Sequence, residues 1–227
     1  METNVHERRT EPMNVIYLAG GKGIRAGLGY PKQYARIKGK PIIIYGLEIL
    51  HKIPEIDKII IVHDNNPEYV QELIERYGML KTVLVPGGRT RQESVRNGLT
   101  CVDSEYVLIA EAVRPFITTE FVQKVISTDG DFVTPWKSCI STVLTLSKQH
   151  LHRDLVGEVQ MPQKYKTSIL RTAHYKTRIE NASDDAALVI ETLGLFPTII
   201  EGIEQNIKIT TPLDLKIANA IYDEVGE

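Results

Sequence analysis

The sequence predicts an α/β fold, a largely parallel sheet with helices on both faces, and three observations carry that expectation. Short β-branched runs alternate with helix-length patterns from residue 14 to about residue 128. The strand-like runs are apolar on both faces, as strands covered by helices on either side must be. The first of them ends abruptly in "AGGKGIRAGLGY", five glycines within ten residues, where a parallel sheet opens onto its ligand.

Each element follows from a local signal. NVIYLAG (14–20) reads as a buried strand stopped by glycine. PIIIYGLEILHKI (41–53) has the length of a helix, and DKIIIVHD (57–64) is a second buried strand. In NPEYVQELIERYG (66–78), Asn66 can cap a helix, Pro67 suits its first position and Gly78 its stop. KTVLVPGG (81–88) is a strand ending in glycines, TRQESVRNGL (90–99) a helix, EYVLIAEA (105–112) a strand and TTEFVQKVIST (118–128) a helix. The alternation breaks between about Asp131 and Lys166. STVLTLSK (141–148) has the composition of a strand but no helix follows it, and HLHRDLVGEVQMPQKY (150–165) reads as too polar for core. Residues 136–166 are therefore expected to project as an arm. Helices near 167–178 and at SDDAALVIETLG (183–194), a strand at PTIIEG (197–202) and a last helix at TPLDLKIANAIYDE (211–224) complete the order, with Thr211 as cap and Pro212 as first residue. One domain, 13–227, is expected after a polar leader, 1–12, which reads as disordered.

Composition narrows the function. The 227 residues are 42% hydrophobic and 25% charged, with a net charge of -2, so nothing global suggests a nucleic-acid coat or a membrane-surface binder, and any anion must be held by local charge. The apolar runs are too short to span a bilayer, and the polar N-terminus lacks the apolar core of a secretory signal. Cys101 and Cys139 stand far apart, as free thiols of a reducing cytoplasm do, and the six histidines show no metal spacing.

The glycine loop is suited to a polyphosphate. Glycines let backbone N–H groups approach phosphate oxygens, Arg25 can grip two oxygens at once, and Lys32 adds a point charge after Pro31. Gly21-Lys22-Gly23 does not have the spacing of a Walker loop. Gly21-x-Gly23-x-x-Ala26 fits a dinucleotide loop loosely, and Pro31 interrupts the helix such a loop needs.

The loop "LAGGKGIRAGLGYPKQY", together with GGRTRQESVRNGL (87–99), AVRPF (112–116), MPQKY (161–165) and NIKITTPLDLKIA (206–218), resembles the cytidylyltransferases typified by the 2-C-methyl-D-erythritol 4-phosphate cytidylyltransferase family. The last stretch is also similar to ribitol-5-phosphate cytidylyltransferases. The matches run in order from residue 15 to about 222. The resemblance implies a Rossmann-like sheet with an exchanged β-arm in a homodimer. It implies a reaction in which a phosphate oxygen of a small acceptor attacks the α-phosphorus of CTP and pyrophosphate leaves, with Mg2+ bridging phosphates. By the same resemblance Arg25, Lys32 and Lys208 would neutralise the phosphates. Leu18, Ala19, Gly20, Gly21, Gly23, Gly88 and Ser94 would hold the nucleotide, the last two reading cytosine. Taken alone, Lys208 would be a surface lysine and Ser94 an ordinary helix residue.

Several positions depart from the family pattern. Its His-Asp before "AARPF" is replaced by Ala110-Glu111, so Glu111 stands where a metal-binding aspartate is expected, with Glu204 as a second acid. The arm's Asp-Thr pair falls in WKSCISTV, where Cys139 or Thr142 takes the threonine's place, and Trp136 could floor an altered pocket or be a core aromatic. Thr-Pro-Gln becomes Met161-Pro162-Gln163, and Thr-Asp becomes Ser183-Asp184. Arg114 matches, and Arg153 matches the arginine that reaches the acceptor phosphate from the neighbouring subunit. Acceptor binding is thus expected from Arg114, Thr142, Arg153 and Ser183. Lost hydroxyl donors redirect polyol selection while retained arginines still require a phosphorus acid. Methylerythritol phosphate, ribitol phosphate and a phosphonate all stay open as acceptors, as do a nucleotide other than CTP and a catalytically silent nucleotide-binding protein.

Overall fold

The computed structural model of the chain describes residues 11–21 and 29–225. Residues 1–10 of the expected leader, and Arg25 and Gly23 of the glycine loop, lie outside the described residues.

The strands are β1 (Met13–Ala19), β2 (Arg36–Ile37), β3 (Lys40–Pro41), β4 (Ile56–His63), β5 (Thr82–Pro86), β6 (Tyr106–Glu111), β7 (Phe132–Ser138), β8 (Val143–Leu144), β9 (His150–Leu151), β10 (Gly157–Val159), β11 (Gln163–Lys166) and β12 (Thr198–Glu201). The helices are α1 (Ile42–Lys52), α2 (Pro67–Tyr77), α3 (Arg91–Leu99), α4 (Thr119–Ser127), α5 (Thr167–Lys176), α6 (Asp185–Leu193) and α7 (Pro212–Val225). The main sheet runs β10-β7-β11-β6-β1-β4-β5, with β12 added along β7. β4, β1 and β6 are parallel neighbours, β5 extends them in parallel, and β11 enters antiparallel between β6 and β7.

Alternation along the strands builds two cores. Val15, Tyr17, Ile59, Ile61, Leu108 and Ala110 face α1, α2 and α4. Ile16, Ile60, Val62, Val107 and Ile109 face α3, α5 and α6. Helices therefore cover both faces, which is why these strands read as continuous apolar runs. Each fully buried Val, Leu or Ile contributes about 1.5–3 kcal/mol. The predicted stops and caps hold: the Asn66 side chain accepts from Tyr69 N at 3.4 Å, Gly78 takes φ 67°, and Thr211 Oγ1 accepts from Asp214 N at 3.3 Å.

The segment expected to be an arm is smaller than residues 136–166. Trp136–Ser138 and Gly157–Val159 pair within the main sheet, and Gln163–Lys166 is an inner strand of it. Met161, Gln163 and Tyr165 are buried, so this part of the polar-looking stretch is core. The polar groups are buried because each has a partner. Gln163 Nε2 donates to Asp184 at 3.2 Å, the Tyr165 hydroxyl donates to Gln163 Oε1, and Lys164 Nζ donates to Ile126 O at 3.0 Å and to Thr128 O. Tyr165 also stacks on Phe132 at 4.7 Å. Trp136 packs over Gly157 as a sheet aromatic. What projects is residues 139–156, where the predicted strand 141–148 shrinks to the two-residue hairpin of β8 and β9. Ile140, Leu144, Leu146 and Leu155 are exposed along it.

Beneath the sheet edge, Asp185 opens α6 with a fully buried carboxylate, paired to Arg91 Nη1 at 2.7 Å and to His174 Nε2 at 3.0 Å. Burial works to raise its pKa, but the Arg91 and His174 contacts hold it below the ordinary aspartate range. A depressed carboxylate adds stability above its unfolded pKa, near 3.9, and loses it as pH falls through the folded value. The unfolding free-energy gap between wild type and Asp185→Asn is therefore expected to be constant above about pH 4 and to narrow below it, as urea titrations at stepped pH would read. Gly98 is required by close approach, since a Cβ there would lie 2.8 Å from Ile16 Cγ2 and 3.1 Å from Val62 Cγ2. Gly98→Val is expected to lower the urea midpoint, at unchanged slope, by an amount equivalent to about 1–3 kcal/mol.

Candidate active site

The site forms where parallel strands end together. The register pairs Ala19 with His63, His63 with Pro86, and Leu18 with Glu111, so four strand ends lie along one carboxyl edge. A cavity of about 330 Å³ opens there. Leu18, Ala19, Gly20 and Gly21 form one wall, Gly88, Thr90, Arg91 and Ser94 another, and Lys32, Glu111 and Lys208 bring the charge. A larger cavity, about 850 Å³, lies beyond the Lys32–Tyr34 turn. It is lined by Tyr30, Tyr34 and Tyr69 with Asp64, and neither Lys32 nor Lys208 lines it. The smaller cavity is the one with the chemistry.

Local structure places each group. Gln33, buried behind the turn, donates to Ala19 O at 2.6 Å and to Asp64 Oδ2 at 3.3 Å, which ties Lys32 to the end of β1. Ser94 Oγ accepts from Gly88 N at 3.0 Å and donates to Thr90 O at 2.9 Å, while Thr90 caps α3 through Glu93 N at 3.1 Å. A Cβ at Gly88 would overlap the Glu93 side chain, so only glycine lets this turn close. Gly88 and Ser94, expected to act together, are hydrogen-bonded to each other.

Glu111 is the electrostatic centre. Its carboxylate is buried and meets Lys208 Nζ at 2.8 Å, Arg114 Nε at 3.2 Å and Arg91 Nε at 3.7 Å. Burial alone would raise its pKa, yet Lys208, Arg114 and Arg91 hold it below the ordinary glutamate range. The Lys208 side chain stays 40% exposed, so its amine can face a substrate while anchored to Glu111. Arg114 Nη1 donates to Asn206 O at 2.8 Å, and Asn206 Nδ2 donates to Met161 O at 2.7 Å. The first bond joins the strand-end loop after β6 to the loop that carries Lys208, and the second ties that loop to the segment between β10 and β11.

Nine of the expected residues therefore line one cavity: Leu18, Ala19, Gly20, Gly21, Lys32, Gly88, Ser94, Glu111 and Lys208. Arg114 adjoins it through Glu111. Four others stand apart within one chain. Thr142 and Arg153 sit exposed on the arm, and Ser183 is exposed just ahead of Asp184, the cap of α6. Glu204, expected as a second acid near the metal, is 80% exposed, ion-paired with Lys137 and not part of the pocket lining. Among the described residues no three His, Cys, Asp or Glu side chains converge as a metal site. One buried, ionised carboxylate suits Mg2+ carried in on substrate phosphates better than a protein-built cage. Sequence reasoning missed Arg91. A cation in the first turn of a helix opposes the helix dipole, and that local conflict was the available signal.

Comparisons with known proteins point to one family. A family model described as 2-C-methyl-D-erythritol 4-phosphate cytidylyltransferase (IspD) matches residues 13–224. A cytidylyltransferase of that description from Dictyoglomus thermophilum is 40% identical over 215 residues, covering 88% of this chain and 92% of its own. One from Alkaliphilus metalliredigens is 35% identical over 225 residues, covering 93% of both. The crystal structure of 4-diphosphocytidyl-2C-methyl-D-erythritol synthase from Anaerococcus prevotii superposes with a TM-score of 0.83 at 26% identity, covering 94% of this chain and 97% of its own. With its glycine-edged pocket, its buried acid among cations and this match along nearly the whole described sheet, the chain belongs to the 2-C-methyl-D-erythritol 4-phosphate cytidylyltransferase family of nucleotidyltransferase enzymes.

Proposed function

We propose that the protein transfers the cytidylyl group of CTP to 2-C-methyl-D-erythritol 4-phosphate, forming the CDP-alcohol and pyrophosphate. Family membership supports this acceptor over ribitol phosphate or a phosphonate, and over a silent binding protein. The observation that carries the chemistry is a single cavity joining Lys32, Ser94, Glu111 and Lys208 at the carboxyl edge of the sheet. An acceptor phosphate oxygen attacks the α-phosphorus in line. The new P–O bond forms as the bond to the bridging oxygen breaks, and pyrophosphate carries away the electron pair. Two anions must meet, so the chain's task is positioning and charge neutralisation.

Backbone groups of the 18–21 edge and Lys32, with Arg25, hold the triphosphate. Gly88 and Ser94 read the cytosine edge through the turn they share. Lys208, tethered by Glu111, stands between the α-phosphate and the attacking phosphate and offsets their repulsion. Mg2+, when bound, supplies further neutralisation of the phosphate oxygens. Glu111 is the pocket carboxylate suited to hold it, and Arg114 keeps that carboxylate in place.

The acceptor side requires a second copy of the chain. Arg153 and Thr142 lie on the projecting 139–156 segment, away from the pocket of their own chain. That segment exposes Ile140, Leu144, Leu146 and Leu155, more apolar surface than a two-residue hairpin covers. Exchange of arms in a homodimer buries these side chains and delivers Arg153 to the partner's site. One catalytic unit, residues 13–227, working in the cytoplasm without nucleic acid or membrane, completes the reading. No helix among the described residues is long and apolar enough to cross a membrane.

Pyrophosphate release is expected from CTP with 2-C-methyl-D-erythritol 4-phosphate and not from ATP, GTP or UTP. Release with ribitol 5-phosphate alone would reassign the acceptor. Lys32→Ala is expected to lower kcat/KM on the order of 10²-fold, and near-normal turnover in the folded variant would remove the turn from the mechanism. Mixing nearly inactive Arg153→Ala and Lys32→Ala subunits is expected to restore activity, because each heterodimer then holds one site without either defect. A sizing-column monomer, or no recovery after verified subunit exchange, would sink the crossed-arm dimer.

A further inference from the structure

The charges around Glu111 continue inward, beyond the pocket. Arg91 lies between two carboxylates, with Nη1 2.7 Å from Asp185 Oδ2 and Nε 3.7 Å from Glu111 Oε1. That same Glu111 oxygen accepts from Lys208 Nζ at 2.8 Å. On the far side, Asp185 Oδ1 meets His174 Nε2 at 3.0 Å, so both oxygens of a carboxylate that is only 1% exposed are engaged. An unbroken row of contacts thus runs from α5, through the first turns of α6 and α3, to the loop that carries Lys208.

We propose that Asp185 is a positioning residue for the transfer: through Arg91 it holds the Glu111 carboxylate, and with it the Lys208 amine, in place at the mouth of the nucleotide pocket. The proposal rests on the cytidylyl-transfer reading above and names a residue that reading does not use.

Three features give the row its direction. Asp185 is the anchored end. It sits in the first turn of a helix, where the dipole favours an anion, and packing fixes it from every side. Arg91 is the strained member. It occupies the first turn of α3, where the dipole opposes a cation, and its buried Nε and Nη2 have no hydrogen-bond partner. A guanidinium so placed keeps its position by attraction to two carboxylates. Without the Asp185 charge it would move toward Glu111 and compete with Lys208 for Oε1. Lys208 is the responsive end. Its stem is long and flexible and its amine is partly exposed, so its placement depends on the carboxylate to which it is bound.

The test uses the full chain and compares turnover with nucleotide binding. Asp185→Asn keeps the shape and removes the charge. It is expected to lower kcat for pyrophosphate release on the order of 10²-fold, the scale of a displaced catalytic group. CTP affinity measured by calorimetry should change by less than about threefold, because the glycine edge and Lys32 are untouched. In a Glu111→Gln background the same change should cost little more, since both substitutions break one row. A merely structural Asp185 would lower the melting temperature and leave kcat per folded molecule intact, and that result overturns the proposal. Losses that multiply in full across the two backgrounds also overturn it.

Removing one partner of a buried pair can prevent folding, whereas replacing both with apolar residues of similar volume often preserves it. The paired variant Arg91→Met/Asp185→Leu therefore repeats the test. Loss of kcat with retained CTP binding is expected, and wild-type turnover in it would overturn the proposal as surely. A wild-type protein that binds CTP yet releases no pyrophosphate with 2-C-methyl-D-erythritol 4-phosphate overturns the transfer reading and the proposal together. An active wild type with unimpaired variants overturns the proposal alone.

Discussion

The parallel register of β1 with β4 and β6 is the constraint on which the site depends. It brings Ala19 level with His63, and Leu18 level with Glu111, so chain segments far apart in sequence end at one edge. A strand end leaves backbone groups without ladder partners, and glycines keep those groups open to a ligand. A slip of one residue would turn Tyr17 and Ile16 to the wrong faces and carry Glu111 out of reach of Lys208. The apolar alternation that builds two cores therefore also sets the geometry of the pocket.

Charge is the second organising element. Burying Glu111 is costly, and three cations around it offset that cost. Asp185 takes up part of Arg91, while Lys32 and Lys208 extend the cationic surface of the cavity. The result is a local positive field in a chain of net charge -2, which is what an anionic nucleotide requires. An acid at the centre of that field orders the long cationic side chains before substrate arrives, so less freedom is lost on binding.

The acceptor side is built differently. Of its expected residues only Arg114 lies at the sheet edge, beside Glu111, while Thr142, Arg153 and Ser183 lie on an exposed arm and at the exposed entrance to α6. Within one chain this half of the site has walls on one side only. In the arm-exchanged dimer proposed here, nucleotide chemistry rests on the rigid sheet while acceptor choice rests on a segment that a second chain must hold. Such a division lets substrate selection vary while the glycine-rich sheet edge stays unchanged.

The sequence by itself determined the alternation of parallel strands and helices from β1 to α4, the later helices α5 to α7, the helix caps at Asn66 and Thr211, and the glycine-rich end of β1, because these depend on neighbours in the chain. Periodicity and capping are local physics, and local physics is legible in one sequence. Tertiary structure alone decided three things. It made Gln163–Lys166 an inner strand, because Gln163 found Asp184, Lys164 found carbonyls at the C-terminal end of α4 and Tyr165 found Phe132. It turned Glu204 to Lys137 and left Glu111 as the pocket's acid. It also set Arg91 between Asp185 and Glu111, two carboxylates from distant elements. In each case a polar side chain took its role from a partner far away in sequence, and burial of a polar group is decided by whether such a partner arrives.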